Sequence, residues 1–304
     1  MDKINKVAII GAGALGVMYG WNLTKKLGKD RVFMIADENR INRYTGEGIF
    51  CNDERCDFCF IDGSKNSEEK VDLIIFATKF TSLDTAIKEA QNFIHEDTIL
   101  ISVLNGIESE KLMREVFGTD HLLYCMVYGM DSYREGNHVH YKRIGTVSFG
   151  DKSNKITHDV KLVEEFLDEA EIKCEIPKDI IHELWSKLML NCGVNQVAAI
   201  YNTGYGSLQV QGEKRQMMID VMKEVKEVAK YEGIVLTEDE IKEWLMILDK
   251  LNPNGMPSLV QDLRAGRKTE VELFSGSIRK LGKKHEIVTP LNDFLYNKIK
   301  EMEG

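Results

Sequence analysis

Proline is scarce in this chain, four in 304 residues, and none stands before Pro177. No Pro-rich linker, internal repeat or low-complexity segment is apparent. Long apolar runs are missing too. No segment reaches the roughly 18 apolar residues of a membrane span, and the apolar run near the amino terminus is cut by glycines, so it is a strand and not a signal peptide. There is no excess of positive charge. A net charge of −9 argues against nucleic acid or an anionic membrane as partner, so an anionic substrate must be drawn by local cations. Six cysteines without a secretory signal point to a reducing, cytoplasmic setting. Cys51, Cys56 and Cys59 have the C-x4-C-x2-C spacing of a cluster site, but Phe58 and Phe60 make the segment read as a hairpin strand and no fourth cysteine follows at a fitting distance. No metal is assigned.

What is present begins at Val7. The run Val7-Ala8-Ile9-Ile10 has the β-branched character of a buried parallel strand, and Gly11-Ala12-Gly13-Ala14-Leu15-Gly16 follows without a gap. A helical pattern through Tyr19, Leu23 and Leu27 comes next, then a second strand from Val32 to Ala36. In this strand–turn–helix setting Gly11 makes the tight turn, Gly13 lets backbone approach a pyrophosphate, and Gly16 lets helix pack on strand. The helix N-terminus then faces the phosphate charge.

Strands at Val71–Ala77 and Thr98–Val103 alternate with helical stretches near 82–93 and 107–117, the order of a helix-wound parallel sheet. Alternation across Gly136–Gly150 predicts late strands closing the same sheet, followed by a helix over Asp159–Glu169 and a strand over Lys173–Ile176. From Asp179 the pattern is helix after helix, over 179–199, 211–232, 238–251, 258–283 and 290–302. The expected fold is therefore α/β: an N-terminal Rossmann-type dinucleotide-binding domain over 1–177 and an all-α domain over 178–304, which a length long for one core also favours. A homodimer is compatible with this pattern, with helices 211–232 or 290–302 as the elements that would pair between subunits.

Within the first of these helices Lys187, Asn191 and Asn195 fall at successive four-residue steps and so share one face. Trp185, Leu188, Met189, Cys192 and Val194 surround them, which favours a partly buried strip over a solvated one. One cation and two amides can grip a small polar anion.

These pieces, taken in order, carry a resemblance. Gly11 to Gly16, Ala77-Thr78-Lys79, Leu104-Asn105-Gly106, Leu184-Trp185-Ser186-Lys187-Leu188 with Asn191 and Asn195, Ser258-Leu259-Val260-Gln261-Asp262, Gly266-Arg267-Lys268-Thr269-Glu270 and Gly276 resemble the ketopantoate reductase family over nearly the whole length. The resemblance implies NADPH-dependent reduction of 2-dehydropantoate to pantoate, in pantothenate and coenzyme A biosynthesis. It implies Lys187 as general acid, with Asn191, Asn195 and Asn105 on the substrate, and Ser258, a hydroxyl at a helix N-terminus, suits the substrate carboxylate. It also implies Lys79, Asn105 and Glu270 near the cofactor. An ordinary lysine, with a pKa near 10.4, is protonated at neutral pH and suits the role. More ordinary roles stand beside these: a Lys187–Glu183 pair, an Asn105-Gly106 turn, a solvated Lys79, a capping box from Ser258 to Gln261, and a Glu270–Arg267 pair one helical turn apart.

The chain departs from the family pattern where the cofactor is chosen. Asp37 follows the second strand, where an acidic residue would bind the ribose 2′-OH of NADH and repel a phosphate, while Arg40 and Arg43 lie three and six residues on. NADPH is the expectation, with NADH as the alternative. A NAD-dependent 2-hydroxy acid dehydrogenase acting on another branched 2-keto acid is the second reading. A non-catalytic dinucleotide sensor is the third, and it would need neither the lysine nor the amides.

Overall fold

The first strand, β1 (Val7–Ile10), is buried at every position. In the computed structural model, which describes residues 1–303, it is the central strand of a five-stranded sheet. The others are β2 (Val32–Ala36), β5 (Cys59–Asp62), β6 (Leu73–Phe76) and β7 (Ile99–Ser102), in the order β5-β2-β1-β6-β7. Every pairing is parallel, with Val7 opposite Val32 and Leu73. The strand order reverses at β1, which makes the carboxyl ends of β1 and β6 a topological switch point. Alternate side chains enter two separate cores. Ile9 packs with Val17, Met18 and Leu23 of α1 (Ala14–Leu27), whereas Ala8 and Ile10 pack with Leu83 and Ile87 of α3 (Leu83–Ala90). Helices α2 (Glu38–Glu47) and α4 (Ser109–Phe117) complete the alternation.

Two smaller sheets follow the main one. Short strands β3 (Phe50–Cys51) and β4 (Glu54–Arg55) form a hairpin that joins β9 (Tyr133–Glu135) and β10 (His138–His140) in the order β4-β3-β10-β9. Strand β11 (Thr146–Gly150) lies between β8 (Tyr124–Tyr128) and β12 (Cys174–Glu175). The segment 136–150 is therefore divided: β10 belongs to the four-stranded sheet, whereas β11 belongs to a three-stranded sheet that a parallel bridge from Leu122 to Leu100 ties to β7. Gly129, Gly136 and Gly145 turn the chain with φ of +74°, +58° and +81°, and a side chain at Gly145 would strike the Tyr128 carbonyl at 2.5 Å. The cysteine segment is likewise split: Cys51 is in the hairpin, while Cys59 begins the parallel edge strand. Helix α5 (His158–Glu169), capped by Thr157, packs beside β12.

The chain divides into two compact units, residues 1–104 with 109–181, and residues 105–108 with those from 182 on. The second unit is helical: most of α6 (Ile180–Ile200), then α7 (Gly206–Gln209), α8 (Glu213–Tyr231), α9 (Glu238–Leu248), α10 (Ser258–Arg264), α11 (Ser277–Lys284) and α12 (Pro290–Met302). Gly193 lets α8 lie close against α6, since a Cβ there would stand 2.7 Å from Met222 Cγ and 3.0 Å from the Met218 carbonyl. The single helix expected over 258–283 is instead two. Gly266, at φ +63°, ends α10, and the Arg267 amide turns back to the Asp262 carbonyl at 2.9 Å. A π-turn over Glu272–Gly276 then leads into α11. Among the described residues no helix is long and apolar enough to cross a membrane.

Candidate functional site

Two sets of side chains stand out, one in each unit. In the first unit the glycine loop is shaped by contacts that exclude side chains. Gly11 has φ +112°, and a Cβ on it would lie 2.6 Å from the Ala77 carbonyl oxygen. A Cβ on Gly16 would lie 1.8 Å from the Gly11 oxygen. Gly13 differs. Its nearest neighbour would be the Ala77 oxygen at 3.7 Å, so its missing side chain leaves open space and not a close backbone contact. Gly13 is also the N-cap of α1 and offers no side-chain cap, so the first-turn amides of Ala14, Leu15 and Gly16 have no helical acceptor. The hydroxyl of Thr78, after β6, is buried without a partner. A cradle of N–H donors, a gap at Gly13 and an orphaned hydroxyl fit the pyrophosphate of a dinucleotide. Arg134, on β9, donates to the Ala12 carbonyl. This cation beside the loop was not foreseen, because it arrives from the sheet that the sequence pattern misplaced.

At the end of β2, Asp37 and Arg40 do not act as rivals. Asp37 caps α2, accepting the Arg40 amide at 2.7 Å on Oδ1 and the Arg40 Nε at 2.8 Å on Oδ2. The Arg40 amide first, and the guanidinium with it, hold the Asp37 carboxyl below the ordinary carboxylate range against an opposing push from desolvation. Arg40 Nη2 donates to Glu89 of α3. Arg43 is exposed and lies 5.1 Å over the Tyr44 ring. Lys79 is exposed too, at the start of a short 3-10 turn over Phe80–Ser82.

The second set is built on α6. Lys187, Asn191 and Asn195 lie along one face and are each 8% exposed, so the strip is buried. Lys187 Nζ donates to Asn105 Oδ1 at 3.1 Å, and Asn105 Nδ2 donates to Glu270 Oε2 at 3.0 Å. A second line starts at Ser258, whose Oγ donates to Asn195 Oδ1 at 2.9 Å; Asn195 Nδ2 in turn donates to Asn191 Oδ1 at 3.1 Å. The Leu259 amide also reaches Asn195 Oδ1, at 3.4 Å. The amide nitrogen of Asn191 then remains as the donor end of that line. Lys187, Asn105, Glu270, Asn191, Asn195 and Ser258 thus form two hydrogen-bonded lines within one unit.

Three local expectations change. Ser258 is the first residue of α10 and makes no capping bond; Pro257 is the N-cap, and the hydroxyl is spent on Asn195. Arg267 Nε pairs with Asp262 at 2.9 Å, because the break after α10 removes the helical spacing that would have set it one turn before Glu270. Asp262 therefore supports the loop that leads to Glu270. The Asn105-Gly106 turn is real, with Gly106 at φ +89°, but it aims the Asn105 side chain at Lys187 and Glu270. Two supports were not foreseen. Gln196, fully buried, accepts the Ser275 amide at 3.3 Å and so ties α6 to the π-turn. Glu303 accepts the Thr269 amide and hydroxyl at 2.7 and 2.6 Å, fixing the residue before Glu270. Elsewhere, Asp53, His138 and His140 offer ligand atoms within 4.8 Å of one another on the small sheet.

Residues 7–154 match the family model described as "Ketopantoate reductase PanE/ApbA", and residues 179–303 the one described as "Ketopantoate reductase PanE/ApbA C terminal". A 2-dehydropantoate 2-reductase of Aquifex aeolicus is 28% identical, over 99% of this chain and 97% of that one. Among solved structures, a PanE/ApbA family ketopantoate reductase from Ralstonia eutropha is 26% identical, with a TM-score of 0.84 and 98% of each chain covered. A D-mandelate dehydrogenase solved with NADH and anilino(oxo)acetate has the same fold at a TM-score of 0.87 and 24% identity, again over 98% of each chain.

Proposed function

This chain belongs to the ketopantoate reductase family, and from that premise we propose that it reduces a 2-keto acid to the 2-hydroxy acid with a nicotinamide cofactor, 2-dehydropantoate being the substrate. The observation that carries the reading is the buried Lys187 ammonium, bonded to Asn105 on the same helix face as Asn191 and Asn195. The glycine loop from Gly11 to Gly16, with Thr78 and Arg134, would hold the cofactor, which supplies a hydride when bound. Hydride addition to the 2-carbon leaves negative charge on the former carbonyl oxygen. Lys187 gives that oxygen a proton, and the hydroxy acid results. Asn105 fixes the direction of the amine, and Glu270 fixes Asn105. The Asn191 amide donates to the substrate carboxylate, while Asn195 holds the Asn191 carbonyl and Ser258 in turn holds that of Asn195.

This division of labour predicts unequal effects of two similar substitutions. Asn191→Ala removes a donor that touches substrate and is expected to raise the KM for the keto acid by roughly tenfold, the effect of losing about 1–3 kcal/mol of hydrogen bonding. Asn195→Ala is expected to raise it less and to leave the KM for the cofactor unchanged. Steady-state kinetics with each substrate varied in turn would check both, and an unaltered keto acid KM in Asn191→Ala would remove that residue from the substrate.

The substrate is tested by a panel of 2-keto acids, each with NADPH and with NADH, followed by loss of reduced-nicotinamide absorbance. The highest kcat/KM is expected with 2-dehydropantoate. The D-mandelate dehydrogenase on the same fold motivates a second reading, a 2-hydroxy acid dehydrogenase for another branched or an aromatic 2-keto acid. A higher kcat/KM with one of those would favour it. No turnover with any keto acid would favour the dinucleotide sensor, which has no use for a buried lysine and amides.

A further inference from the structure

The carboxyl edge of β2 holds more negative charge than its own sequence suggests. Arg40 is gripped from two sides, by Asp37 three residues before it and by Glu89 from α3. Glu89 is only 8% exposed. It reaches this place because Gly63, the residue after β5, has no side chain: a Cβ there would lie 2.7 Å from the Glu89 Cβ and 2.9 Å from Ile35 Cγ2. One Glu89 oxygen takes Arg40, and the other, Oε2, is buried with no partner. One cation between two carboxylates leaves a net charge of about −1. Asp62, opposite Ala36 in the sheet register, adds a further carboxylate, which Lys65 meets at 2.9 Å.

A 2′-phosphate brings close to two further negative charges. To bind Arg40 it would have to displace a carboxylate, and displacing Glu89 would leave a buried anion unpaired, which is strongly unfavourable. A 2′-hydroxyl has the opposite needs: it donates, and carboxylates accept. We infer that Glu89 is a specificity-determining residue which, by holding Arg40 against Asp37, makes this site take NADH in preference to NADPH. The inference rests on the nicotinamide-dependent reading above, and it reverses the cofactor that the family resemblance implied.

The test is a fluorescence titration of the whole protein with NADH and with NADPH, without keto acid. Wild type is expected to bind NADH at least about tenfold more tightly, the factor that one charge-assisted hydrogen bond supplies. Glu89→Gln keeps the shape and removes the charge, so Arg40 is released. It should tighten NADPH about tenfold and leave NADH within roughly twofold. The gain should vanish when Arg40→Ala is added. Should Glu89→Gln fail to fold, the paired variant Arg40→Gln with Glu89→Gln decides, because it removes the cation and one carboxylate together, keeps the local charge, and should leave NADPH affinity within roughly twofold of wild type if Arg40 is already occupied. A tenfold loss there, a wild type that prefers NADPH, or a Glu89→Gln gain that persists without Arg40 would each overturn the role of Glu89. Failure of wild type to bind either cofactor would overturn the nicotinamide reading itself, whereas tight binding of both with no response to Glu89→Gln would overturn this inference alone.

Discussion

Replacing Lys187 with alanine is expected to lower kcat by about 10²-fold or more, the range that general acid catalysis supplies. The ammonium is the one group on the α6 strip able to give a proton to a developing alkoxide, since the amides of Asn191 and Asn195 are far too weakly acidic. Cofactor affinity should hardly change, because the glycine loop belongs to a separate set of residues. Pre-steady-state and steady-state rates together with a nicotinamide titration would separate the two effects. A variant with unchanged kcat would exclude Lys187 from the chemistry, and one that lost cofactor binding as well would make it a structural residue. Asn105→Ala should give a milder loss of kcat, because Lys187 would keep its proton but lose the acceptor that orients it.

The second large effect contrasts two glycines of the same loop. At Gly13, φ is −75° and ψ −170°, an extended conformation open to any residue, and an added Cβ meets only the Ala77 oxygen at ordinary van der Waals distance. Gly13→Ala should therefore fold with a near-normal Tm, yet place a methyl group where a pyrophosphate has to come close. Cofactor affinity should fall roughly ten- to a hundredfold, as for overpacking of about 1–3 kcal/mol. Gly16→Ala would set a Cβ 1.8 Å from the Gly11 oxygen, so it should damage the unit itself, lowering Tm together with binding. Thermal unfolding and nicotinamide titration of both variants would check this. Tight nicotinamide binding by Gly13→Ala would mean that the loop is built for packing alone.

The parts of the molecule legible from sequence are those governed by short-range pattern. Val7 to Gly16 forms strand, turn and helix because β-branched residues, glycines and an apolar period follow one another locally. Lys187, Asn191 and Asn195 share a face because helical geometry alone decides it. What was missed depends on distant partners. Glu89 in an amphipathic helix looks like a solvated charge, and only the missing side chain of Gly63 brings it to Arg40. Arg134 reaches Ala12 from a sheet whose pairing of β10 with β3 joins segments far apart in sequence. The reading of Ser258 failed by one position. Pro257 takes the cap, so a hydroxyl expected to serve its own helix serves Asn195 instead.

The bond from Glu303 to Thr269 makes the Glu270 loop depend on one side chain far from it in sequence. Glu303→Ala would leave every residue of the α6 strip in place, but it would take away the acceptor of the Thr269 amide and hydroxyl. Thr269 is only 5% exposed, so water would replace that acceptor poorly, at a cost of about 1–3 kcal/mol confined to this loop. Glu270 would lose its fixed position, Asn105 its acceptor and Lys187 its orientation, in that order. That variant would thus retain its helices and its cofactor affinity while turning over slowly, so its defect would escape every measurement of folding and show only in the rate.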